Sequence, residues 1–111
     1  MLPKFFKSPL ELREWFLKNH NKDKEVWIGI YKKNSGKKGT TYQEAVDQAL
    51  CFGWIDGLTK RVDELSYMIR FTPRREKSHW TQTNVKIVER LKKEDLMHAS
   101  GLTAFERRIR K

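Results

Sequence analysis

The segment over residues 41–53 constrains the fold of this 111-residue chain most, because it combines a helix start, an apolar stripe and a helix stop. Thr41 and Glu44 have capping-box spacing, in which each side chain bonds the backbone N–H of the other residue. Apolar residues then recur with helical period at Tyr42, Ala45, Val46, Ala49 and Leu50. Gly53 follows, where a left-handed residue commonly closes a helix. We therefore predict an amphipathic helix between Thr41 and Gly53.

Three further helices carry weaker versions of the same signals. Ser8 and Glu11 flank a proline at the first helical position, which predicts a helix that ends near residues 19–21. A third helix is expected to begin within residues 78–83 and to end at Lys93, where cations suit the helix dipole. Ser100 is expected to cap a short last helix.

Two segments, residues 25–33 and 66–72, show the period-two alternation of strands, and a short strand is expected over residues 54–60. The polar stretch at 61–64 is short enough for a hairpin loop, so the last two strands should be antiparallel neighbours. The length suits one domain over residues 1–111. We predict an α+β fold in the order α-β-α-β-β-α-α, with helices packed on a small, mainly antiparallel three-stranded sheet.

The charge balance points to anionic partners. Lys and Arg number 24 against 14 Asp and Glu, a formal net charge of +10. Such a surface attracts phosphorylated small molecules, nucleic acid or acidic proteins, and it also serves plain solubility. Nucleic-acid binding would rest on Lys32, Lys33, Lys37, Lys38 and the tail at 107–111, and it would be salt-sensitive and weakly sequence-specific.

Other classes of function lack their usual signatures. Cys51 is the one cysteine, so no intramolecular disulfide can form, and with His20, His79 and His98 it has no compact zinc-ligand spacing. We expect no metal and no cofactor. A signal peptide's apolar core and an apolar run of about 20 residues are both missing, which predicts a cytoplasmic protein without a membrane partner. Oligomeric state is left open.

The strongest candidate site lies where the strand that ends at Pro73 is followed by a helix start. Arginine forks and helix N-terminal amides both bind anions. The predicted ligand-binding residues are Arg70, Arg74, Arg75, Ser78, Trp80, Thr81 and Asn84, and the supporting residues are Trp54, Asp56 and Gly57. The structural alternative is that the hydroxyls only cap the helix, the tryptophans fill the core and the arginines pair with acidic residues.

An enzyme is the less favoured reading. Cys51, Asp56 and His79 could in principle supply a nucleophile, an orienting carboxylate and a base. Cys51 falls near a helix C-terminus, however, where the dipole disfavours a thiolate. We expect a buried structural thiol, no catalytic residue, and no site role for His20 or His98.

Three stretches of the sequence resemble the bacterial YdeI/OmpD-associated family. They are CFGWIDG at 51–57, RFTPRR at 70–75, and SHWT at 78–81 followed by Asn84. The resemblance covers nearly the whole chain and implies a shared fold, in a short form without the C-terminal helical region of longer members. The family's bacteriocin-protection label implies a protein-interaction module in stress or defence, which is the alternative to anion binding.

Overall fold

A computed structural model of the chain describes residues 2–75 and 80–108. The element order α-β-α-β-β-α-α and the antiparallel three-stranded sheet confirm the predicted α+β class. The helices and strands are α1 (Pro9–Asn19), β1 (Val26–Tyr31), α2 (Tyr42–Cys51), β2 (Trp54–Asp63), β3 (Ser66–Pro73), α3 (Gln82–Lys93) and α4 (Ala99–Glu106).

The helix starts follow the sequence signals with one correction. The side chains of Ser8, Thr41 and Thr81 each accept a backbone N–H in the first turn of α1, α2 and α3, and α2 has the full capping box. The predicted cap at Ser100 is wrong, because α4 begins at Ala99 and its cap is His98, two residues before Ser100. Nδ1 of His98 accepts the Ser100 N–H, while the Ser100 hydroxyl donates to the carbonyl oxygen of Phe52.

The sheet has β3 at its centre, with β1 and β2 paired antiparallel on either side. β2 extends three residues past Lys60, into the stretch predicted as the hairpin loop. The turn contracts to two residues because the Asp63 carboxylate accepts both the Leu65 N–H and the Ser66 hydroxyl. A register irregularity between Asp56 and Thr59 surrounds Gly57.

The core lies between the helices and one face of the sheet. Trp54, at the start of β2, is 1% exposed and makes edge contacts with Trp15 and Phe16 of α1. α2 is central, since it contacts α1, α3, α4 and β2. Within the described ranges, no helix is both long and apolar enough to cross a bilayer.

The N-terminal segment is fastened to the outer edge of β1. The Lys4 N–H donates to the carbonyl oxygen of Trp27, and the Gly29 N–H donates to that of Lys4. Phe5 then lies directly over Gly29, where an added Cβ would fall 2.4 Å from the ring. Gly29 therefore allows the Phe5 ring to approach the backbone of β1 closely.

Candidate functional site

Arg74 is the first residue after β3, and its side chain is held in a fixed, half-buried place. Its backbone N–H donates to the carbonyl oxygen of Gly53 at 2.9 Å. Its guanidinium carbon lies 3.7 Å from the ring centroid of Trp80, and Trp80 contacts Phe105 edge-on. Burial lowers the pKa of Arg74 to about 10, an effect that the carboxylate of Asp56 opposes. Arg74 is therefore still a cation at neutral pH.

One side of Arg74 is closed. Arg74, Trp54, Asp56 and Asn84 surround an interior gap that has no space for a water molecule. Asp56 accepts a hydrogen bond from the Tyr42 hydroxyl. The predicted residues Arg74, Trp54, Asp56 and Asn84 therefore do come together. On this side of Arg74, however, they are packed and leave no room for a ligand.

The other side of Arg74 opens into a cavity of about 330 Å³, which we call the arginine cavity. Its lining includes Arg74 and Arg75 after β3, and Arg107 after α4. None of the described residues that line it is acidic. Ser100 and Thr103 also line it, but both hydroxyl protons are donated to backbone carbonyls. Among the described lining residues, the arginines are therefore the strongest donors, and their fork geometry suits paired anionic oxygens.

A family model described as a domain of unknown function, DUF8412, matches residues 4–104 of the chain. The chain belongs to the DUF8412 family. No curated protein and no solved structure matches it. The matched range contains Arg74 and Arg75 but ends before Arg107. The resemblance to the YdeI/OmpD-associated family and the interaction-module alternative stay predictions for this DUF8412 domain.

Three other predicted site residues of the DUF8412 domain, Arg70, Thr81 and Gly57, do not line the arginine cavity. Arg70 pairs with Glu25, Nε to Oε1 at 2.7 Å. Thr81 caps α3, with the Asn84 N–H as donor. Gly57 is exposed at the β2 irregularity. Ser78 and His79 lie outside the described residues.

The two histidines that were expected to have no site role come together beside the arginine cavity. The rings of His20 and His98 are 4.8 Å apart, and both contact Phe52. His20 also lines the cavity. Burial, followed by the charges of His20 and Arg13, lowers the pKa of His98. The sequence held no signal for this contact, because the two residues are far apart in the chain and are joined only by helix packing.

Cys51 is buried, and its surroundings do not activate it. Burial raises the pKa of the thiol, and the opposing influence of Arg13 is smaller. A thiolate nucleophile needs the reverse shift. Among the described residues, no three His, Cys, Asp or Glu side chains group closely enough to hold a metal ion.

A second, larger groove of about 920 Å³ lies between the start of α1, the end of β1 and the start of α2. We call it the lysine–tyrosine groove because five lysines and three tyrosines line it. These residues are Lys7, Lys32, Lys33, Lys37, Lys38, Tyr31, Tyr42 and Tyr67. Within the described part of the chain, it shares no lining residue with the arginine cavity. The two are therefore separate cationic surfaces.

Proposed function

We propose that this protein binds a small phosphorylated ligand in the arginine cavity. The observation that carries the proposal is the meeting of Arg74, Arg75 and Arg107 at one cavity whose described lining has no carboxylate. Three cations around one space repel one another, and a bound phosphate dianion would remove that repulsion. The volume of about 330 Å³ is near the small end for ligand sites, which suits a phosphate with a small attached group.

The three arginines have different parts in this proposal. Arg74 is held by Trp80 and by the charge of Asp56, so little side-chain freedom is lost when its fork meets a phosphate. Arg75 and Arg107 are exposed, so they would attract the ligand and close over its outer oxygens. Because Arg74 is half-buried, its attraction for phosphate is screened less than that of a surface cation.

Calorimetric titration with inorganic phosphate, ribose 5-phosphate and ribose tests the proposal. A charge-assisted hydrogen bond contributes about 1.5–3 kcal/mol, so Arg75→Gln and Arg107→Gln should each weaken ribose 5-phosphate binding about tenfold or more. Arg61→Gln is the matched control, because it removes the same charge from an exposed arginine on β2. Ribose, which lacks the phosphate, should not bind.

Two results would overturn this function outright, and a third would contradict the class of ligand. One is the absence of phosphate and ribose 5-phosphate binding at about 50 mM salt, where electrostatic binding is strong. The other is an equal loss of affinity in Arg61→Gln, which would make the effect one of net charge. A short oligonucleotide carries phosphodiesters only, so a loss of oligonucleotide affinity in Arg75→Gln and Arg107→Gln as large as their loss of ribose 5-phosphate affinity would be a third contradiction of a small phosphomonoester ligand.

A further inference from the structure

The lysine–tyrosine groove has a strongly one-sided charge. Among its described lining residues, Glu44 is the single carboxylate against five lysines. Oε1 of Glu44 accepts the Thr41 N–H at 2.9 Å as part of the α2 capping box. The one acidic group is therefore committed to the helix cap, and the lysines determine the field in the groove.

The loop that carries four of these lysines is fastened at both ends. A single helical turn spans Lys33–Ser35, and Gly36 follows with a left-handed φ of 75°. The Lys37 N–H then donates to the Ser35 hydroxyl oxygen. At the far end, the Thr40 N–H donates to the carbonyl oxygen of Phe6 at 2.9 Å. The lysines are thus presented along one wall of the groove.

The tyrosines supply aromatic surface beside these cations. Tyr31 stacks on Phe5 with ring centroids 4.7 Å apart, and Nζ of Lys37 lies 5.5 Å from the Tyr31 ring centroid. Tyr42 is 43% exposed, and its hydroxyl donates to Oδ2 of Asp56 at 2.9 Å. Burial and this hydrogen bond raise the pKa of Tyr42 to about 12. Tyr42 is therefore an oriented aromatic surface with an open side.

We propose that the lysine–tyrosine groove binds single-stranded nucleic acid, with backbone phosphates on the loop lysines and an unpaired base stacked on Tyr42. Lysine is a flexible point charge that neutralises phosphates without reading base edges, so weak sequence preference follows. Stacking requires a base that is free of its partner strand, which favours single strands over duplex. This proposal does not rest on the phosphate ligand, because the described linings of the groove and of the arginine cavity have no residue in common.

Fluorescence anisotropy with labelled single strands of about 12 nucleotides, oligo-dT and oligo-U, tests the contribution of the lysines. Each phosphate contact on a single strand contributes about 0.7 to the slope of log affinity against log salt. The double variant Lys37→Gln/Lys38→Gln should therefore lower that slope by about 1.4. Lys22→Gln/Lys24→Gln, two exposed lysines outside the groove, makes the same charge change and should leave the slope almost unchanged.

A second pair of variants tests stacking. Tyr42→Ala should weaken oligo-dT binding about fivefold or more, since it removes the aromatic surface. Tyr42→Phe keeps the ring and loses only the bond to Asp56, so its affinity should stay within about twofold of the unmodified protein. Circular dichroism checks that each variant is folded, and Tyr42→Phe and the lysine variants keep the test decisive if Tyr42→Ala does not fold.

Five outcomes would overturn the proposal. Four of them are no oligonucleotide binding at about 50 mM salt, an equal slope change in the Lys22/Lys24 variant, unchanged affinity in Tyr42→Ala, and duplex or polyglutamate binding as tight as that of single strands. Arg107→Gln should leave oligonucleotide affinity unchanged. A loss of oligonucleotide affinity in Arg107→Gln as large as in Lys37→Gln/Lys38→Gln would mean that binding is not confined to the groove, and it would contradict the proposal. The phosphate titrations would still test the arginine cavity separately.

Discussion

Gly101 lies within α4 at the point where this helix packs against the end of α2. A Cβ added at Gly101 would fall 2.1 Å from the carbonyl oxygen of Cys51 and 2.8 Å from that of Leu50. Both obstacles are backbone atoms, so no side chain can turn aside to make room. Gly101→Ala must therefore push α4 away from α2.

The expected cost follows from what this movement disturbs. Overpacking a tight contact costs about 1–3 kcal/mol. The displacement also stretches two hydrogen bonds, from the His98 N–H to Cys51 and from the Ser100 hydroxyl to Phe52, each contributing about 1 kcal/mol. Alanine's better helix propensity returns about 1 kcal/mol. We expect Gly101→Ala to lower the free energy of unfolding by about 2–4 kcal/mol, and the Tm by roughly 10–30 °C.

Thermal and urea unfolding followed by circular dichroism measure this effect. Gly57→Ala is the matched control, because a Cβ there meets only the Arg70 carbonyl oxygen at an ordinary 3.4 Å. It should change stability by less than about 1 kcal/mol. Helix propensity alone predicts that Gly101→Ala stabilises the protein, so a raised Tm in that variant would refute the packing argument.

Three further changes test other parts of the structure. The pKa of His98 is lowered in the folded state by burial, His20 and Arg13, so the unfolded chain takes up the proton first and stability should fall as pH drops below about 6.5. His98→Asn replaces the capping Nδ1 with an amide oxygen that accepts a hydrogen bond but does not titrate, so urea unfolding at several pH values should show a flatter profile; an unchanged profile would exclude His98 as the cause. Thr41→Ala should lower the free energy of unfolding by about 1 kcal/mol while Thr41→Ser does not, and equal stabilities would mean that the capping box contributes little. Arg74→Lys keeps the charge but loses the planar fork and the stack, so phosphate affinity should fall about tenfold with little change in Tm, and full affinity would argue against recognition by Arg74.

Local signals predicted the elements because caps and apolar periodicity act within a few residues. Ser8, Thr41 and Gly53 all lie where the sequence placed a helix start or stop. The position of β3 between β1 and β2 could not be predicted in this way, since strand order depends on packing between distant segments. The extra length of β2 was missed because the bonds of Asp63 that shorten the turn are not visible as a polar or apolar pattern.

Part of the candidate site could be predicted because its residues lie within a few positions of local strand and helix signals. Arg74, Trp80 and Asn84 are close in sequence to the end of β3 and the start of α3. The structure does bring Arg74 close to Trp80 and to Asn84. The sequence indicates Arg107 only as part of the basic tail at 107–111. Its place at the arginine cavity depends on α4 packing against α2, a contact between segments about 50 residues apart.

The packing of α4 against α2 gives residues 51–53 a structural role that their side chains do not indicate. The thiol of Cys51 suggests a catalytic role, but the contacts that matter in this stretch are made by three consecutive backbone carbonyl oxygens. The oxygen of Cys51 accepts the His98 N–H, that of Phe52 accepts the Ser100 hydroxyl, and that of Gly53 accepts the Arg74 N–H. The first two bonds hold the start of α4, and the third holds the end of β3. One turn after α2, made possible by the left-handed φ of Gly53, therefore fixes both walls of the arginine cavity.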